Sequence, residues 1–223
     1  MNTFIKITVI CTLLFISLLS CQTKSVKLPT LGVKGIEDTI YNNSKIWLFY
    51  KTVGNDTLAE MNKNNKVANT HWIFNIDRRL SLKHIIPSIK KLQEKKATPS
   101  IHDNGEITHT YFSYVDTLSK ALSFIVFDSV HYVSAQDNAF NNSNFNHFII
   151  RKTKNHLFIN DSVIGIRQIG PYLKSKVDST RIKVHLAFDK NVSYQDYLYI
   201  KAILENIKND FIRIDNREVV VLE

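Results

Sequence analysis

Cysteine is nearly absent from this chain. Its 223 residues contain two, Cys11 and Cys21. Both lie at the N-terminal end, so the remainder can form neither a disulfide nor a cysteine-ligated zinc site, and its stability must come from packing. Glycine and proline are also sparse, with six and four residues. The cluster Pro29, Gly32, Gly35 therefore stands out as a break in any regular pattern. No GxSxG, HExxH, P-loop, GxGxxG or EF-hand pattern occurs, so no familiar hydrolase, metalloprotease, nucleotide-binding or calcium-loop chemistry is encoded locally. On this basis the expectation is a protein that is not an enzyme and carries no cofactor.

The chain opens MNTFIKITVICTLLFISLLSC, with one cation, Lys6, before an apolar run from Ile7 to Leu19. That run is short for a membrane span and has the length of a signal-peptide core. Its end, Leu18-Leu19-Ser20-Cys21, resembles a bacterial lipobox. The resemblance implies cleavage before Cys21 and acylation of its thiol, with residues 1–20 removed. Several acyl chains bind a membrane far more strongly than one. The mature protein is expected to be anchored without spanning, on the periplasmic face of the outer membrane, since Gln22 rather than Asp follows the cysteine.

The formal net charge is +9. In an envelope location this favours anionic headgroups, lipopolysaccharide or peptidoglycan as neighbours, and not nucleic acid. Lys90, Lys91, Lys95 and Lys96 form the main basic cluster and read as a solvated helix face. Residues 21–40 read as a tether. Residues 41–133 and 147–223 read as two small α+β domains, joined by the Asn-rich linker 134–146.

The two domains show an internal likeness. FNIDRRLSLKHIIPSIKKL (74–92) and FINDSVIGIRQIGPYLKSK (158–176) align without a gap at an offset of 84 residues. Each reads as an apolar strand, a polar turn and a helix. In the first, Leu82, Ile85, Ile86, Ile89 and Leu92 share one helical face, and Ser81 is a candidate N-cap. Pro87 predicts either a kink or a later helix start. In the second, the strand IKVHLAF (182–188) is followed by a helix capped by Ser193, with Tyr197, Ile200, Ile203, Leu204 and Ile207 as its buried stripe. FIRIDNREVVVL (211–222) reads as a last strand or tight hairpin. The predicted order in the second half is hairpin, helix, strand, helix, strand, with the helices on one sheet face.

The stretch LAFDKNVSYQDYLYIKAILENI (186–207) and this order of elements resemble the periplasmic domain of the ExbD/TolR biopolymer-transport family. Asp189, Lys190, Val192 and Tyr194 match the family pattern, and Gln195 stands where the family has Gly. The resemblance covers about residues 147–223 and implies contacts with ExbB-, ExbD- or TonB-like proteins. Two family features are missing here, a true transmembrane helix and its proton-carrying Asp. Family members pair two periplasmic domains, so a tandem repeat implies a covalent pseudo-dimer. The alternative reading is a binding module for peptidoglycan or another glycan.

Asp189, Lys190, Tyr194, Lys90 and Lys91 are the candidate partner-contact residues. Asp189 has no second carboxylate or His at catalytic spacing and reads as a turn residue. The eight histidines are scattered, with His102, Asp103 and His109 the nearest to a metal set. Trp47, Phe49, Tyr50, Tyr111, Phe112 and Tyr114 alternate as strand residues do and read as core. Replacing Cys21 with Ser is expected to abolish incorporation of labelled palmitate, read by autoradiography of the immunoprecipitated chain.

Overall fold

Alternating apolar residues make the strands, and their register divides them between two sheets. The computed structural model describes residues 24–62, 69–97, 106–128, 130–133, 145–177 and 181–221. The first sheet contains β1 (Thr30–Leu31), β2 (Asn43–Val53), β3 (Asp56–Met61), β4 (His71–Ile76), β5 (Thr110–Asp116) and β6 (Ala121–Val126). The second contains β7 (His131–Val133), β8 (Asn146–Lys152), β9 (Leu157–Ile159), β10 (Ser162–Val163), β11 (Ile182–Asp189) and β12 (Ile212–Val221). Three helices accompany them: α1 (Leu82–Ala97), α2 (Ile169–Lys176) and α3 (Tyr194–Ile207). The chain is thus mixed α and β, with two sheets and few helices.

The two sheets share a wiring. In the first, the order β3-β2-β4-β5 has β2, β4 and β5 parallel and β3 antiparallel at the edge. In the second, β9-β8-β11-β12 repeats it, with β8, β11 and β12 parallel and β9 antiparallel. Helix α1 links β4 to β5 as α3 links β11 to β12. The equivalence therefore runs at an offset of 112 residues, as from Asp77 to Asp189. It brings IDRRLSL (76–82) onto FDKNVSY (188–194), with Asp and Ser in identical places. The 84-residue offset expected from the sequence instead pairs the central strand β4 with the outer strand β9. Both segments are strand-turn-helix units, which is why their patterns align, but their places in the sheets differ.

Most predicted apolar stripes are buried as expected. Leu82, Ile85, Ile86, Ile89 and Leu92 of α1 all face the core. Pro87 lies inside this continuous helix, whose described span runs from Leu82 to Ala97. Ser193 Oγ accepts from Asp196 N at 3.1 Å, as a helix cap does. Ser81 occupies the same place before α1, but its hydroxyl lies 2.9 Å from His84 Nδ1. Within the expected segment 211–222, Ile212–Val221 is one strand rather than a hairpin. It carries a bulge that shifts the β11 pairing from Val184↔Ile214 to Leu186↔Glu218.

Two boundaries differ from expectation. The part of the tether that is described, residues 24–40, is a strap along the fold. Thr30–Leu31 pairs with Val115–Asp116 of β5, and Ile36 exchanges both backbone hydrogen bonds with Phe124. Gly35 makes this possible, because a Cβ there would lie 2.8 Å from Phe124 O. The strap also reaches the second half. Gln195 donates to Thr30 O and accepts from Thr30 N, and Asn206 donates to Lys34 O. The other boundary is β7, which belongs by position to the first domain but pairs with β12. A contiguous core results, in which Phe112 of β5 meets Tyr194 and Tyr197 of α3 at ring distances of 5.8 and 6.4 Å. Most of the expected linker, residues 134–144, lies outside the described residues.

Inside this core sits one ionic pair. Lys201 of α3 donates to Glu218 Oε1, and Tyr197 donates to Glu218 Oε2 at 2.8 Å. The β12 bulge turns Glu218 inward. Removing one member leaves the other charged and buried. Glu218→Leu is therefore expected to destabilise the fold by about 3–5 kcal/mol. The double variant Glu218→Leu/Lys201→Met should recover most of that loss in urea denaturation.

Candidate functional site

The residues singled out from the sequence fall in separate places. Cys21 and the pair His102 and Asp103 lie outside the described residues. Asp189, Lys190 and Tyr194 cluster where the two halves meet. Asp189 Oδ1 accepts from Asn191 N at 2.7 Å, a turn role, and Asp77 Oδ1 does the same for Arg79 N at 3.0 Å. Tyr194 is fully buried against Phe112 and Tyr197, so it cannot be the outward contact expected of it. The first residue of α3 faces inward because its backbone is clamped to the other half. Lys90 and Lys91 are exposed on α1, about 12 Å along the helix axis from that junction.

At the junction the helix starts complete each other. Leu82 N donates to Val192 O at 3.0 Å, and Tyr194 N donates to Leu80 O at 2.7 Å. These bonds interchange under the 112-residue offset, so they describe a pseudo-two-fold axis. Lys83 N also donates to Lys190 O at 2.9 Å. Such N–H groups have no partner within their own helix.

A concavity lies at the other end of α1. This cleft of about 600 Å³ opens between the last turns of that helix, the start of β5 and the residues Phe127, Asp128, His131 and Tyr132. Its floor is apolar, from Trp72, Phe74, Phe127 and Tyr132, all nearly buried. Lys90, Lys96, Glu94, His109, Asp128 and His131 supply the polar lining. His109 Nδ1 lies 2.5 Å from Asp128 Oδ2, and Thr110 N donates to Asp128 Oδ1. The His71 ring stacks on His109 at 5.7 Å, and His71 Nδ1 accepts from His109 N.

Lys96 departs from the solvated face expected for its cluster. Its ammonium donates to Thr110 Oγ1 at 3.1 Å and Thr108 O at 3.3 Å, and lies 5.6 Å over the Trp72 ring. Burial lowers its pKa, with Asp128 acting the other way. Helical spacing separates Lys96 from Lys90, Lys91 and Lys95, because it lies four residues after Leu92 and seven after Ile89, on the buried stripe. What the spacing does not give is its partners, Thr108 and Thr110. The His109–Asp128 pair was equally hidden, since β6 intervenes between its two members.

The matching place beside α3 is a depression of about 460 Å³ lined by Lys201, Glu205 and Lys208. Lys208 and Lys96 are 112 residues apart. Lys208, however, forms an ion pair with Glu205. Chemically, the cleft offers an oriented cation over an apolar floor and a hydrogen-bonded His109–Asp128 pair. Among the described residues lining it there is no serine or cysteine.

A second charged group crosses the second sheet. His185 Nε2 lies 2.8 Å from His147 Nδ1, and His185 Nδ1 lies 3.1 Å from Asp215 Oδ2. Lys183 and Arg217 also reach Asp215. Burial pushes the His185 pKa down to about 4, against the raising effect of Asp215. Burial works against ionised Asp215 too, yet hydrogen bonds from Arg217 and Lys183 hold its carboxyl well below the usual range. Among the described residues no group of three or more His, Cys, Asp or Glu side chains is arranged to hold a metal ion.

Comparison with family models, curated proteins and solved structures finds no match to the chain.

His185 generates a pH dependence. Its folded pKa lies below the ordinary value, so the neutral form stabilises the fold above about pH 6.5, and that contribution declines as pH falls toward 4. Urea midpoints from pH 7.5 to 4.5 are expected to fall more steeply for the native chain than for His185→Gln. The loss tied to Asp215 appears only below its ordinary carboxylate pKa, near 3.8.

Proposed function

We propose that the chain is a lipid-anchored protein of the cell envelope that acts by protein–protein contact, built as a covalent pseudo-dimer of two ExbD/TolR-like units. One observation carries this reading. Asp77–Ser81 and Asp189–Ser193 repeat the same pattern, and the backbone bonds between them are reciprocal. The family motif resemblance seen in the second half thus has a counterpart in the first, at the equivalent strand end. Family members bring two periplasmic domains together as a dimer, and here one chain holds both.

The lipid on Cys21 takes the place of the family's transmembrane helix. No described helix is long and apolar enough to cross a membrane. Without the proton-carrying Asp, the protein is an accessory to an ExbB/ExbD/TonB-like complex and conducts no protons. Its contacts form by strand addition to open sheet edges. Two outer edges suit this: β3, where Leu58 is half exposed, and the β9–β10 hairpin, where Val163 is exposed. The alternative reading, peptidoglycan or another glycan as ligand, calls for exposed aromatics beside Lys90–Lys96. Trp72 and Phe74, which share the cleft with Lys90, are each 1% exposed, which favours the contact reading.

The test is capture in intact cells. Photo-crosslinking residues at Leu58 and Val163 are expected to trap ExbB-, ExbD- or TonB-like proteins, identified by mass spectrometry, beyond a control bearing only the lipid anchor. Capture of peptidoglycan or an unrelated envelope complex in their place would retire the transport role.

A further inference from the structure

We propose that the cleft at the end of α1 binds a fatty acid: an acyl chain carrying one carboxylate, with the head on Lys96 and the chain along the apolar lining toward Ile107, above the buried Trp72. The cleft volume, about 600 Å³, falls within the range of small-molecule sites, ~300–1,000 Å³. Its lining is mainly apolar, and its aromatic floor is too buried for a sugar to stack on, so an acyl chain suits it better. Ile107 extends the apolar lining to the mouth, where it is 83% exposed.

The cation decides the head group. Lys96 is held by a carbonyl and a hydroxyl, which orient its ammonium. No described carboxylate forms an ion pair with it. Asp128 acts on it only at longer range and is engaged by His109 and by Thr110 N, while Glu94 also lines the cleft. In the equivalent depression of the other half, Glu205 pairs directly with Lys208. A half-buried ammonium with no carboxylate in contact favours an anionic ligand, since a partly desolvated charge regains most from an opposite charge. With two acids already in the lining, one carboxylate suits the cleft better than a polyanion. Lys90 and His131 at the rim supply further positive or protonatable character.

The test uses the full chain in phosphatidylcholine nanodiscs with Trp47→Phe, which leaves Trp72 as the sole tryptophan. The probes are ω-bromooctanoate and ω-bromooctanol, whose bromine quenches tryptophan at short range, without needing an exposed ring. The expected result is saturable quenching of Trp72 by the acid, at least tenfold weaker quenching by the alcohol, and at least tenfold loss for the acid with Lys96→Met. Equal quenching by acid and alcohol, quenching that never saturates, or an unchanged response in a folded Lys96→Met would each overturn the proposal. If circular dichroism shows Lys96→Met misfolded, the acid–alcohol comparison on the lysine-bearing chain decides alone. Failure here leaves the partner-capture result untouched, because the crosslinking positions lie on the opposite sheet edges.

Discussion

Two helix starts face each other at the centre of this molecule, and each finishes what the other lacks. The first N–H groups of any helix need acceptors from elsewhere. Here α1 takes them from Val192 and Lys190, and α3 takes one from Leu80. The positive ends of two helix dipoles would otherwise repel. Carbonyl oxygens between them and the Asp189 carboxylate at its turn offset this, while Asp77 and Asp196 are paired with Arg79 and Lys152. Pulling the halves apart would strand these donors and expose Leu80, Leu82, Val192 and Tyr194, all now buried. The strap from Lys24 onward reinforces the union, since it bonds to Asp77 and β5 on one side and to Gln195 and Asn206 on the other.

Around that axis the copies have diverged where function can differ. Ile89 in α1 corresponds to Lys201 in α3, so an apolar position became half of a buried ion pair. The acid that matches it, Glu218, is available only because β12 bulges. At the far ends of the two helices the paired lysines also part ways. Lys208 is neutralised by Glu205, whereas the equivalent of Glu205 beside Lys96 is Gln93, whose amide donates to Val130 O. A single carboxylate-to-amide difference thus leaves one cation with no carboxylate in contact in one copy.

Much of this was legible as periodicity. The stripes of α1 and α3, the Ser193 cap and the order of elements after residue 146 follow from local spacing, because amphipathic burial and capping act over a few residues. The repeat expected at an offset of 84 residues is not the register that the two sheets share. Strand-turn-helix units share one pattern wherever they sit, so 74–92 matched 158–176 although β4 and β9 occupy different places in their sheets. Asp-x-x-apolar-Ser at 77–81 and 189–193 was the stronger signal, being tied to one turn and one cap. The cleft was not legible, because its floor, its Lys96 and its His109–Asp128 pair come from segments that only sheet pairing brings together.

What the sequence determined by itself is therefore the local grammar: which segments are helix or strand, which face of each is apolar, and the signal-like N-terminus ending at Cys21. Those properties depend on neighbours a few positions apart. What tertiary structure alone decided is how the two copies interlock, that the expected tether is a strap, that Tyr194 is core and not surface, and which partners hold Lys96. Each of these depends on a backbone or side-chain partner far away in the chain, and the choice among such partners is made by the packing of the whole.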